Sequence, residues 1–133
     1  MEKRSILIVD DSAANIKVLS SILRQEYRIL VAKDGAETLE FLATTGRPDL
    51  VLLDIVMPGI DGYEVCRRLK EDNKTADVPV VFITAKTDEA EREKGLGLGA
   101  AAYVTKPFDV ETVRRIVGEQ AGKGGPNPHD PGH

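Results

Sequence analysis

Residues 5–11 read SILIVDD, four aliphatic side chains in a row followed by two adjacent carboxylates. An unbroken apolar run of this length suits a strand buried on both faces of a sheet, and the sudden change to acid marks where the chain leaves the core. The pattern recurs. LVLL (50–53) precedes Asp54, VVFI (80–83) precedes Thr84, and the weaker AAYV (101–104) precedes Thr105 and Lys106. YRILVA (27–32) supplies a fifth strand.

Helical spacing fills the gaps. After Ser12, a plausible N-cap, Ile16, Leu19, Ile22 and Leu23 line one face. A second helix starts near Gly35, carries Ala36, Leu39 and Leu42, and stops at Gly46 ahead of Pro48. Val65, Cys66 and Leu69 mark a third; Val110, Val113, Ile116 and Val117 mark the last, with Asp109 near its start. The fourth, about Thr87 to Leu98, is weak, because Gly95, Gly97 and Gly99 fall in or beside it and an interior glycine costs roughly 1 kcal/mol relative to alanine. Strand and helix alternate five times, which predicts an α/β fold: a single-domain, doubly wound, five-stranded parallel sheet with helices on both faces and right-handed crossovers.

The 133 residues suffice for one domain and not for two. Aromatics make up 5% and Trp is absent, so the core should be aliphatic. A formal charge of −4 argues against a direct nucleic-acid surface, and Arg67–Arg68 and Arg114–Arg115 read as solvated helix faces. No apolar run approaches the roughly 20 residues a bilayer span needs, and MEKRS carries no signal-peptide pattern, so a cytoplasmic protein without membrane contact is expected. Cys66, the single cysteine, excludes an internal disulfide and reads as a small apolar helix residue. After Gln120 the chain turns to Gly and Pro, giving 4–120 as the folded domain and 121–133 as a disordered tail or linker stub. His129 and His133 fall in that tail, where Pro131 and Gly132 oppose the helix that would make them a ligand pair.

Parallel strands all point one way, so the residues after each apolar run gather along one sheet edge, the edge at which open α/β sheets bind ligands. Those residues are Asp10, Asp11, Asp54, Thr84, Thr105 and Lys106. Singly, each is an ordinary turn former or cap. Together, three carboxylates repel one another unless a cation neutralises them, and Mg²⁺, an oxygen-seeking ion typically held by one or two carboxylates and a phosphate, fits that need. A phosphoryl group accounts for the hydroxyl of Thr84 and the ammonium of Lys106, and a lone carboxylate such as Asp54 can be the nucleophile that receives it.

The set VDD, LLDIVMPGIDG, FITA and YVTKPF, in this order and at these separations, resembles the receiver domain of bacterial two-component response regulators over about residues 4–120. The resemblance implies the chemotaxis-regulator-like, flavodoxin-like strand order 2-1-3-4-5. It implies that Asp54 is the phosphoacceptor, taking its phosphoryl group from a phosphohistidine on a sensor histidine kinase or phosphotransfer protein. Asp11 would ligate Mg²⁺ directly and Asp10 through water, with Asp54 and the backbone carbonyl of Val56 as further ligands. Thr84 would follow the phosphoryl group with its hydroxyl and Lys106 would pair with a phosphoryl oxygen. Tyr103 matches an aromatic switch position, inward when active and outward when not, and the Lys106–Pro107 bond would be cis. Val56 and Lys86 would flank the approach of hydrolytic water. The output would be a signalling switch in which the surface of helix 4, strand 5 and helix 5 contacts a downstream effector protein or domain. Such a domain is not an enzyme; it assists only its own phosphorylation and dephosphorylation. Dimerisation on activation stays open.

Two rivals use other logic. A Mg²⁺-dependent phosphatase of haloacid dehalogenase type also has an aspartyl nucleophile, but places it after the first strand in a D-x-D pattern, where this chain has DDS, and usually carries a cap domain. A nucleotide-holding flavodoxin-like module needs a Gly-rich phosphate loop where DDSAAN stands.

Overall fold

The structure is a computed structural model in which residues 3–121 are described. Strands β1 (Ser5–Val9), β2 (Arg28–Ala32), β3 (Leu50–Leu53), β4 (Val80–Thr84) and β5 (Ala102–Thr105) alternate with helices α1 (Ala13–Leu23), α2 (Gly35–Thr44), α3 (Gly62–Glu71), α4 (Glu89–Gly97) and α5 (Val110–Ala121). The sheet is parallel throughout, in the order β2-β1-β3-β4-β5. Starting at β1 and turning back once puts β1 and β3 side by side at the point where the winding reverses, so the ends of these two strands open into a crevice between helices of opposite faces.

The three central strands are buried along their whole length, as their aliphatic runs predict. The edge strands differ: β2 is buried only at Ala32, and β5 is buried at Tyr103 and Val104. An edge strand has a neighbouring strand on one side only, and Ile29, Leu30 and Ala102 stay half-buried. The core divides into two layers. One, with Leu7, Val9, Leu53 and Phe82, meets Val65, Cys66 and Leu69 of α3; the other, with Ile6, Ile8, Leu52 and Ile83, meets Leu19 and Leu23 of α1 and Val113 and Val117 of α5. Burial of each such side chain contributes about 1.5–3 kcal/mol. Burial also pushes the Cys66 thiol up to about 11, which keeps it protonated at neutral pH and suits its place as core filler.

Side chains fix the helix starts. Ser12 Oγ accepts from the Asn15 amide at 3.3 Å, Asp34 Oδ1 from Glu37 at 2.8 Å, Asp61 Oδ1 from Glu64 at 3.0 Å and Asp109 Oδ1 from Thr112 at 2.6 Å. Three helices depart in detail from the sequence reading. The fully buried residues of α2 are Gly35 and Thr38, with Phe41 and Leu42 packed half-buried on the core and Ala36 exposed; Thr38 can be buried because its hydroxyl donates to the Asp34 carbonyl at 2.8 Å. Val110, the first residue of α5, is exposed, while Val113 and Val117 are buried. In α4 only Gly95 is interior: Gly97 ends the helix, and Gly99 lies past it with φ of 104°. Ala121 closes α5 and is buried, so the folded part extends one residue beyond the predicted boundary; the rest of the tail, with His129 and His133, lies outside the described residues. Among the described residues no helix is long and apolar enough to cross a membrane.

Candidate functional site

Asp10 and Asp11 follow β1, and Asp54 follows β3, its amide donating to the Val9 carbonyl at 2.9 Å as a continuation of the β1–β3 pairing. Adjacent strand ends therefore bring the three acids together: each offers an oxygen, and these oxygens lie within 4.8 Å of one another. Asp10 and Asp54 are buried, while Asp11 is exposed at the mouth. Asp10 is held from two sides. Its Oδ1 accepts from the Ser12 amide at 2.8 Å and its Oδ2 from the Asn15 side chain at 3.4 Å. Among the described residues Asp11 has no hydrogen bond or ion pair, so its carboxylate is available to a ligand.

Lys106, one residue beyond β5, reaches across the strand ends, its Nζ 3.2 Å from Asp10 Oδ2 and 3.3 Å from Asp54 Oδ2. The cis Lys106–Pro107 bond follows it. Asp54 Oδ1 accepts from the Val56 amide at 3.3 Å, and the Val56 side chain projects into solvent beside it. Three influences act on the Asp54 carboxyl. Burial, the largest, raises its pKa; the Lys106 ammonium lowers it; the Asp10 charge raises it again, and the balance is upward. One ammonium for three carboxylates leaves the pocket short of positive charge, and a donor set made of oxygens with one exposed, unengaged member fits a hard divalent cation.

Thr84 ends β4 with its side chain buried, and its Oγ1 accepts from the Lys86 amide at 3.2 Å. Tyr103 of β5 is turned inward and buried, its hydroxyl donating to the Lys86 carbonyl at 2.9 Å. The structure thus brings Asp10, Asp11, Asp54, Val56 and Lys106 together, while Thr84, expected beside them, is buried and meets Tyr103 through Lys86. Two contributors escaped the sequence reading. Gly62, the first residue of α3, packs so tightly that a Cβ there would stand 2.3 Å from the Asp54 carbonyl oxygen. Tyr63 lies outside the residues that mark α3 in the sequence, and its hydroxyl reaches α4; the signal is a tyrosine, an apolar ring with a polar end, next to the Val65, Cys66 and Leu69 stripe.

Residues 6–118 match the response regulator receiver domain. The chain belongs to that family. The protein PilH of Pseudomonas aeruginosa is 39% identical over 113 residues, covering 84% of this chain and 93% of PilH. The response regulator PleD of Caulobacter vibrioides is 46% identical over 105 residues, 78% of this chain but only 23% of PleD, so this receiver domain spans about a quarter of that relative. Among solved structures, the receiver domain of the sensor histidine kinase PA1611 from Pseudomonas aeruginosa superimposes with a TM-score of 0.82 at 30% identity, covering 90% of this chain and 98% of that one, and carries a magnesium ion coordinated in its active-site cleft. Membership sets aside the haloacid dehalogenase and nucleotide-module readings, and makes the general role of this receiver domain that of a phosphoacceptor switch in two-component signalling.

Proposed function

We propose that Asp54 is the phosphoacceptor of this receiver domain, and that Asp11, Asp54, the Val56 carbonyl and, through water, Asp10 hold Mg²⁺. The observation that carries the proposal is the convergence of three carboxylates and one ammonium at the ends of β1, β3 and β5, with one acid exposed at the mouth. A bound metal would neutralise carboxylate charge and draw in phosphoryl oxygens; the related PA1611 receiver domain carries a magnesium ion in its active-site cleft.

The residues divide the remaining work. Asp54 is almost fully buried, its Oδ1 held by the Val56 amide and its Oδ2 by Lys106, and a donor from another protein would approach it past the exposed Val56 side chain. A carboxylate oxygen of Asp54 forms the new P–O bond as the P–N bond of the donor phosphohistidine breaks, and the imidazole leaves with the electron pair and takes a proton from solvent. Lys106 favours the ionised, nucleophilic form of Asp54 before transfer and pairs with a phosphoryl oxygen afterwards. The Thr84 hydroxyl turns to the phosphoryl group, and Tyr103, joined to the same segment through Lys86, responds on the far side. The face of α4, β5 and α5 then meets a downstream effector. The domain acts on itself only, its donor being a cytoplasmic sensor kinase or phosphotransfer protein.

Incubation with acetyl phosphate and Mg²⁺ followed by intact-mass measurement tests this. One added phosphoryl group in the wild type and none in Asp54→Asn supports the assignment; the same gain in both removes Asp54 from its role.

A further inference from the structure

Tyr63 follows Gly62, the residue packed against Asp54, and so begins one side chain away from the acceptor. Its buried ring meets Phe82 edge-on, centroids 5.6 Å apart, and Phe82 lies 6.1 Å from Tyr103 on its other side. The Tyr63 hydroxyl leaves this apolar layer and donates to Glu91 of α4, whose carbonyl oxygen is 3.0 Å away and whose carboxylate is also in contact. Three residues on, the Lys94 ammonium stands over the face of the same ring, 4.4 Å from its centroid. One side chain of α3 thus grips two successive turns of α4.

The remaining anchors of α4 among the described residues are few; one is the Arg92 guanidinium, which donates to the Tyr103 carbonyl of β5 at a long 3.5 Å. Asp88, at its N-cap position, makes no side-chain cap bond, and Gly95 is the helix's one buried residue, seated against Phe82 and Tyr103. Beyond the Lys106 amide on the Thr84 carbonyl at 2.7 Å and a loose Lys86–Glu91 ion pair at 4.0 Å, side chains fasten the segment from Thr84 to Glu91 at three points among the described residues: the Lys86 amide on Thr84 Oγ1, the Lys86 carbonyl under the Tyr103 hydroxyl, and Glu91 under the Tyr63 hydroxyl. The third point is the one that connects this segment to the helix beginning beside the acceptor.

We propose that Tyr63 is a positioning residue of the switch, whose hydroxyl on Glu91 fixes α4 and pre-sets the Thr84–Glu91 segment for the phosphoryl group. This rests on the phosphoacceptor reading of Asp54. Removing the hydroxyl frees the segment to sample more arrangements, so a phosphoryl ligand must order it on binding and binds more weakly.

Amide exchange and beryllofluoride titration in Mg²⁺ test it on the whole chain. Tyr63→Phe keeps the ring and loses the bond; exchange over 89–98 in the unliganded protein rises about fivefold, the net worth of one hydrogen bond. Glu91→Gln moves exchange in the same direction by less, and the double variant adds little to Tyr63→Phe. Beryllofluoride affinity falls about threefold or more in Tyr63→Phe, whereas Ile22→Val, a mildly destabilising change on the opposite face, leaves it unaltered. Unchanged exchange over 89–98 overturns the proposal, as does an affinity equal to or tighter than wild type. A wild type that takes up no beryllofluoride would instead refute the phosphoacceptor reading, and the exchange result alone would then decide whether Tyr63 holds α4.

Discussion

The Lys106 ammonium sits 3.3 Å from Asp54 Oδ2, bridging the end of β5 to the end of β3 across 52 residues of sequence. It touches Asp10 at 3.2 Å as well, and so compensates two buried carboxylates at once. Lys106→Ala leaves both without a cation. The metal-free fold should lose about 3 kcal/mol by urea unfolding, the low end for breaking a buried ion pair, because Lys106 keeps some solvent exposure. Saturating Mg²⁺ should recover part of that loss, since a divalent ion supplies the missing charge. Equal stability of the variant and wild type in chelator would contradict the account.

Mg²⁺ binds the folded chain and so should raise its melting temperature, by an increment equivalent to about 2.7 kcal/mol when free ion is 100 times its Kd. Asp11→Ala should abolish this response. It should not harm the metal-free fold, and should strengthen it slightly, because Asp11 is exposed and its charge only repels Asp10 and Asp54. Thermal melts in chelator and in Mg²⁺ separate the two effects.

Asp54 gives a pH signature in chelator. Its pKa is raised in the fold, chiefly by burial, so between the ordinary value of 3.8 and the raised one the folded chain holds a proton that the unfolded chain has lost. Stability then falls as pH rises through that window, and the loss persists at neutral pH. Asp54→Asn removes the titration. Its melting temperature should exceed that of wild type at neutral pH, and the gap should close as the solution is acidified through the same window. A gap that widens on acidification would show that Lys106 outweighs burial.

Two glycines should respond oppositely to alanine. Gly118, inside α5, has nothing within 4 Å of an added Cβ, so Gly118→Ala should stabilise by about 1 kcal/mol. Gly62→Ala would press on the Asp54 carbonyl and on Ile55 at 2.7 Å, both backbone. It should destabilise by about 2 kcal/mol or more and weaken beryllofluoride binding by displacing the acceptor. Denaturant melts of the two variants check the signs.

These contrasts show what was legible in the sequence. The central strands announced themselves, since a run such as ILIV or LVLL has no polar residue to expose and must be covered on both faces. Their direction then fixed the cup, because Asp10, Asp54 and Lys106 each stand at a strand end. What stayed hidden depends on how helices roll against the sheet. Ala36, Leu39 and Leu42 pattern like a buried face of α2; Leu42 does pack on the core and Leu39 is half-buried, but Ala36 is exposed and the fully buried positions are Gly35, set closely against Ile60, and Thr38. Gly95 read as a weakness in α4, and the fold uses it as a seat for the Phe82 and Tyr103 rings, where a Cβ would approach within 3.0 and 3.3 Å. Spacing along one element carries no record of which neighbour comes that near.

The most direct test is to identify the residue that is modified. An acyl phosphate is reduced by borohydride to the alcohol, so treatment of the chain with acetyl phosphate and Mg²⁺, then borohydride, then peptide sequencing by mass spectrometry, marks the acceptor as homoserine. The account predicts homoserine at position 54 alone. Homoserine at position 10 or 11, or unmodified Asp54 in a chain that has gained a phosphoryl group elsewhere, would contradict it.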